Sequence, residues 1–542
     1  MAAVESDHYT LEGGASLPLA AVRRRSFGAG LVLNQCSVGA VQGALPALIY
    51  PLLKRQLKLQ GYQANSAQSL LAVSASCKLG FTLLTDALPI RGTRRRPYMA
   101  IGWLIVLLTS ALLVGMFAYA NTEDRLGNAT GTVLLLLAIS LGSMLVDAAC
   151  DGRMVDLTRQ EDPTASHGGV GVGATAHKTV YTARFVSEVA STVLVGLLTN
   201  GAEYGGSFSF AVPTCYLFEL LMAIAVVGLL ATVWGVREDI EESADDGQER
   251  ALKSADLHRT PIVCPPAKAV DLHGLERVLR SRATWQLALY GFLQKLFLDL
   301  KGSPRLAIHD SWLDTEPLSM NIFLASMSAI YAVASLLAHR VLLTPDCSFR
   351  SITLTAVVAS SVVSLPSVAV AATAIVRDQY LVLLSEQISH FFDAVAMMAR
   401  ILVAVEIAEP GSESSTYAVV TACFSLAEPV SSALSNIIGA FFNVFDADID
   451  RDSTQVQWHV VALFGTLTAL RVIGNVAILP LLPAGQAPAR ELRDRSAGNG
   501  VPRFVAPVVG CLLAISVAAL VANVLAVIEA TACLRFVGGP GC

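Results

Sequence analysis

Thirteen apolar runs dominate the chain, each close to the length a helix needs to cross a lipid bilayer. About 20 mostly apolar residues suffice, because within hydrocarbon every backbone N–H and C=O must find its partner inside the helix. The runs lie at 27–53, 64–85, 98–119, 132–152, 178–199 and 209–235. After a polar stretch they resume at 284–304, 318–343, 351–375, 379–406, 417–442 and 457–483, and a last one covers 504–531. Only 15% of the 542 residues are charged, too few to cover the surfaces of several water-soluble domains. The expected fold class is an all-α polytopic membrane protein. Its expected order is an N-terminal tail (1–26), a six-helix bundle (27–235), an acidic linker (236–283), a second six-helix bundle (284–483), a loop (484–503), an extra transmembrane helix (504–531) and a short tail (532–542).

The net charge of −5 leaves no basic footprint for nucleic acid. The ten cysteines are scattered, without a C-x-x-C pair or a Cys/His zinc spacing, so no metal site, cofactor or secreted disulfide scaffold is expected. No H-E-x-x-H or G-x-S-x-G occurs, and the chain is read as a non-enzyme. Lys and Arg set the orientation. With the N-terminus in the cytosol, inside segments carry 24 of them and outside segments 9. This places the linker inside and Cys533 and Cys542 outside. The sequon Asn128-Ala129-Thr130 then falls in an outer loop. Plasma and organellar membranes are both compatible, and a monomer is expected.

Charged side chains inside a bilayer are costly, and they face a bundle interior or a water-filled path. Helix 4 carries Asp147 and Asp151, and helix 5 carries Arg184 and Glu188. Asp147 or Asp151 lies at a depth where it meets Arg184; two acids against one base would leave a carboxylate to bind protons. Helix 7 carries Lys295 and Asp299, and helix 12 carries Arg471, for which Glu428 and Glu219 are candidate partners. On helix 10, spacings of 4, 3 and 7 put Glu386, His390, Asp393 and Arg400 on one face. That stripe reads either as the wall of an aqueous cavity or as ion pairs that only fix packing. His390 is read as a proton relay or as a packing residue.

The loop between helices 2 and 3 contains Gly80, Asp86, Gly92, Arg94, Arg95 and Arg96, which resemble the Gly…Asp…Gly-Arg-Arg signature of the major facilitator superfamily. The fuller string, Lys78-Leu79-Gly80 and then Asp86-Ala-Leu-Pro89-Ile90-Arg-Gly92-Thr-Arg94-Arg95-Arg96-Pro97-Tyr98, resembles the folate–biopterin transporter family. A second block, Glu409-Pro410-Gly411-Ser412-Glu413-Ser-Ser-Thr416, resembles the opening of helix 11 in that family, and the likeness covers about 27–483. It implies two six-helix halves rocking around a mid-membrane site, with alternating access to the two sides. The substrate class implied is folates or pterins, and proton coupling is an added expectation. Lys78, Gly80, Asp86, Gly92, Arg94, Arg95, Arg96, Gly411, Glu413 and Thr416 would form a conformational latch. Substrate-binding candidates are Asp147, Arg184, Lys295, Glu386, Asp393, Arg400 and Arg471; proton-coupling candidates are Asp151, Glu188 and His390. A carboxylate would accept the pterin's amino edge, and Arg471, Arg400 or Lys295 would pair with folate's glutamate tail. Two other readings stand beside this one: a carrier of another small organic anion or nutrient, and a transport-dead sensor or scaffold.

Overall fold

The computed structural model describes residues 17–119, 128–161, 172–210, 212–236, 238, 278, 281–342, 348–408, 413–496 and 505–542. Side chains are described throughout these except at 17–28, 157–161, 172–177, 339–342, 413–415 and 505–506. Every regular element among the described residues is helical. The isolated bridges Ile90–Thr93 and Gly201–Phe208 only pin turns.

The first half contains α1 (Leu17–Leu48, extended by a π-helical stretch, Ile49–Gln56), α2 (Gly61–Ala87), α3 (Arg96–Tyr119), α4 (Ala129–Glu161), α5 (Val172–Leu198) and α6 (Thr214–Leu230). The second contains α7 (Arg282–Leu298), α8 (Pro317–Leu342), α9 (Phe349–Ala372), α10 (Gln379–Ile407), α11 (Glu413–Ser425 and Ala427–Phe441) and α12 (Thr454–Ile478). The last long helix is α13 (Val505–Val527). Twelve described helices are long and apolar enough to cross a membrane, and Pro507–Val527 of α13 is one of them.

The seventh crossing departs from the expected continuous run over 284–304. The helix stops at Leu298; Gly302 takes φ +81°, and Pro304 offers no N–H to continue the ladder. A short helix, Arg305–Ser311, resumes after the break. α11 opens for a related reason: Pro429 cannot donate to the carbonyl of Ser425, and the two segments meet at Leu426.

Burial from water does not drive helices together inside lipid, so close packing must. In the first half α1 lies on α5, α3 on α4 and α6, and α2 on α4. Gly39 and Gly43 make the α1–α5 approach feasible: a Cβ at either would fall 2.2 Å from the carbonyl oxygen of Arg184 or Glu188. This contact sets where Arg184 points. Trp103 is fully buried and donates to Asn34 Oδ1 at 2.8 Å, and the Thr232 hydroxyl donates to the same oxygen at 2.8 Å. In the second half α9 and α8 pack on α10, and α7 packs on α11 and α12. The halves meet through α2 against α11 and α5 against α8. α13 lies in the groove between α2 and α11. The 239–277 stretch, most of the acidic linker, lies outside the described residues.

Candidate functional site

A buried charge cluster forms where α1, α2, α4 and α5 converge. Asp147 is 0% exposed. It accepts from Arg184 Nη1 at 2.7 Å, Lys78 Nζ at 2.7 Å and Gln35 Nε2 at 3.3 Å. Asp151, one turn on, takes the same Lys78 ammonium at 2.7 Å and the Tyr181 hydroxyl at 2.7 Å. Arg184 Nη2 donates to Gln42 Oε1 at 2.6 Å. Of the two helix 4 acids, Asp147 pairs with Arg184 in the geometry. The surplus acid is not present: Lys78, expected in the latch, stands nine residues inside the end of α2 and supplies a second cation. Two polar atoms at this cluster, Gln35 Oε1 and Gln42 Nε2, make no hydrogen bond among the described residues. Glu188 is half-buried, with no cation within ion-pair distance among the described residues.

The helix 10 stripe divides. Glu386, His390 and Asp393 line a cavity of about 110 Å³ inside the second half, walled by α9, α12 and the broken seventh crossing. Arg305 clamps Glu386 through Nε and Nη2, both at 2.7 Å, and His309 Nε2 stands 3.4 Å from the same carboxylate. Arg471 pairs with Asp393, not with Glu428 or Glu219, and donates to Ser360 Oγ at 2.7 Å. His390 makes no hydrogen bond within the described residues. Arg305 escaped the sequence reading because it counted as a loop residue; the Gly302-Ser303-Pro304 break was the signal that a helix start, and so an inward-facing side chain, follows.

Arg400 shares the stripe's face but not its cavity. It is 4% exposed, and no carboxylate of a described residue lies within ion-pair distance. Its guanidinium lies over the Phe424 ring at 3.6 Å from the centroid, and Nη1 reaches Gln294 Oε1 at 3.4 Å. Tyr290, Tyr331 and Tyr417 stand near it. Lys295 approaches the same ring at 5.4 Å, but Asp299 neutralises it, with Glu428 at 3.4 Å.

Two groups of polar contacts flank these clusters. At the Arg95 end, Arg95 pairs with Asp86, donates to Thr85 Oγ1 at 2.5 Å and reaches Asp156 at 3.5 Å. Glu238, missed from the sequence, caps the start of α3: its carboxylate accepts from the backbone N–H groups of Arg94, Arg95 and Arg96 at 2.9, 3.0 and 2.9 Å. Gly92 takes φ +76° in this turn. Gly80 faces open space, with nothing within 4 Å of an added Cβ. Gly411 lies outside the described residues, as does the side chain of Glu413; Thr416 is buried. These contacts all stay within one half.

The contacts that join the halves gather toward the opposite, Lys54 end. Lys54 pairs with Asp446 and lies 3.9 Å from Asp310; Arg55 reaches Asp310 at 2.5 Å and Asp314 at 3.2 Å. Tyr50 donates to the Thr315 carbonyl at 2.9 Å, the Gly61 N–H to Asp446 at 2.8 Å, and Asn65 Nδ2 to Asn436 Oδ1 at 2.7 Å. Among the described residues the two halves are thus joined at the Lys54 end. On the same end and outside the spans, two hydrogen bonds of 2.6 Å from Arg377 hold the Asp452 carboxyl below its ordinary range.

Among solved structures the fold is similar to the nucleoside transporter NupG, at 12% identity, 83% of this chain, 98% of that one and a TM-score of 0.54. It is also similar to a D-xylose–proton symporter, at 12% identity, 85% and 98% coverage and a TM-score of 0.54. A structure described as a proton-dependent oligopeptide transporter matches at 16% identity, 87% and 100% coverage and a TM-score of 0.53. At these identities the likeness concerns the fold, that of the major facilitator superfamily. No curated protein matches the sequence. The BT1 family matches over residues 39–484, which take in both bundles and both motif blocks. The chain belongs to the BT1 family, the folate–biopterin transporters.

Proposed function

We propose that this protein is a secondary transporter of folate or pterin compounds, working by alternating access. The observation that carries the reading is Arg400. A guanidinium deep in a membrane protein, with no carboxylate of a described residue beside it, is costly unless an anion arrives from outside the protein. Of the three cations considered for a glutamate tail, Lys295 and Arg471 are already neutralised, and Arg400 is not. Phe424 and the nearby tyrosines offer faces on which a planar ring stacks. On the other half, Gln35 Oε1 and Gln42 Nε2 supply an unpaired acceptor and an unpaired donor, the complement of a pterin edge. Proton coupling falls to Glu188, a half-buried carboxylate that makes no ion pair among the described residues.

A cytosolic N-terminus is part of this proposal. It rests on the Lys/Arg bias and on the Cys533–Cys542 disulfide, which belongs on an oxidising side. Among the described residues, the hydrogen bonds and ion pairs between the halves then lie away from the cytosolic end. Arg400→Ala tests the assignment in cells lacking their own carrier, with uptake normalised to surface protein. Folate uptake is expected to fall about tenfold or more, the scale of a lost charge-assisted pair. Biopterin, which has no glutamate tail, is expected to stay within about twofold. Equal loss of both substrates, or no loss, would remove Arg400 from the tail site.

A further inference from the structure

The C-terminal segment lies beyond the part of the chain that the family covers, and neither transport nor the motif blocks account for it. It is not a loose addition. α13 fills the groove between α2 and α11, which belong to opposite halves. Toward the second half it is bonded at successive turns of α11. Ser516 donates to the Leu426 carbonyl at 3.1 Å, Asn523 Nδ2 donates to the Pro429 carbonyl at 2.9 Å, and the Ser432 hydroxyl donates to Asn523 Oδ1 at 3.3 Å. Ser516 and Asn523 are both buried. The Pro429 contact takes up a carbonyl beside the opening in α11.

Toward the first half the attachments gather at the Lys54 end. The Thr130 hydroxyl donates to the Val527 carbonyl at 2.9 Å, and the Tyr62 hydroxyl donates to the Ala532 carbonyl at 3.0 Å. Tyr62, Ala526, Ala532 and Val537 form one small apolar cluster. The tail then turns back on itself. The Cys533–Cys542 disulfide closes a loop whose Gly538, at φ +103°, lies flat on Asn436; a Cβ there would be 2.6 Å from the Asn436 Cβ. Asn436 in turn bonds Ser66 at 2.8 Å across the seam.

We propose that α13 and its disulfide-closed tail are a strap that travels with α11 and clamps the Lys54 end shut by gripping α2. The distribution of bonds is the warrant. Contacts to α11 run along the helix and can persist through a rocking motion. Among the described residues, polar contacts to the first half are few and terminal, at the place where the two halves must part. The strap therefore sets the balance between the two open states, and the Cys533–Cys542 bond holds its tail in the gripping shape. The proposal rests on the rocking of two halves but not on any cargo.

Backbone hydrogen exchange on the full chain in nanodiscs tests it without a substrate. Wild type is compared with Tyr62→Phe, which removes one hydroxyl, and with Cys533→Ser/Cys542→Ser. Exchange at the Lys54 ends of α2 (61–71) and α11 (432–441) is expected to rise about fivefold for Tyr62→Phe, the worth of one such hydrogen bond, and further for the double variant. Exchange at the Arg95 end (85–95 and 402–408) is expected to fall as the populations shift. Unchanged exchange at the Lys54 end in both variants would overturn the clamp. A uniform rise over all helices would overturn it too, because the strap would then be a staple of the fold. Uptake assays remain separate: lack of folate transport leaves this result intact.

Discussion

Asp147→Asn is expected to lower transport about a hundredfold, the scale on which breaking a buried ion pair acts. Asp147 takes both Arg184 and Lys78 and is completely buried, so the amide leaves two cations sharing what Asp151 and Gln42 can offer. Lys78 still has Asp151 at 2.7 Å; Arg184 keeps only a neutral amide oxygen. Arg184 is then expected to turn away from α4, and the cluster joining α1, α2, α4 and α5 loses its centre. Asp147→Glu keeps the charge but adds a methylene to a filled space, and a partial loss is expected. Initial uptake rates per surface molecule measure this. A rate near wild type for Asp147→Asn would show that the cluster is packing alone.

The second large effect concerns the closed end. Lys54→Glu is expected to reduce uptake about tenfold or more, because it sets a new carboxylate beside Asp446 and Asp310 in place of the cation that pairs with them. The Lys54 end then fails to close, and the cycle stalls open on that side. The paired reversal, Lys54→Glu with Asp446→Lys, restores the attraction and is expected to bring uptake back to within about threefold of wild type, the mark of direct coupling. Two single losses that simply multiply in the double variant would mean that the residues act separately.

The apolar runs made most of the fold legible, because in lipid a helix must be long and internally bonded whatever its neighbours do. The start of α10 at 379 and the end of α3 at 119 agree with the runs for that reason. The break after Leu298 did not show, since Gly302 and Pro304 stand at the end of a run where hydropathy alone does not separate a break from a loop. The stripe on α10 was readable as one face, but not as two environments: Arg400 lies seven residues beyond Asp393 and so reaches α7 and α11 instead of the α9–α12 cavity. Lys78 lies within the second apolar run, but its motif assigned it to the latch, which hid its role beside Asp147. α13 was visible as a helix but not as a strap. Its apolar surface is nearly uniform, and only Ser516 and Asn523, seven residues apart, mark the side that meets α11.

Counterflow in proteoliposomes tests the central claim most directly. Purified protein is reconstituted, the vesicles are loaded with unlabelled folic acid or biopterin, and entry of the labelled compound is followed. The account predicts saturable exchange of both compounds by wild type, abolished by Asp147→Asn, with Arg400→Ala removing folic acid exchange alone. Absence of exchange from folded, reconstituted wild-type protein would contradict the folate–pterin assignment and leave a transporter fold whose cargo is of another class.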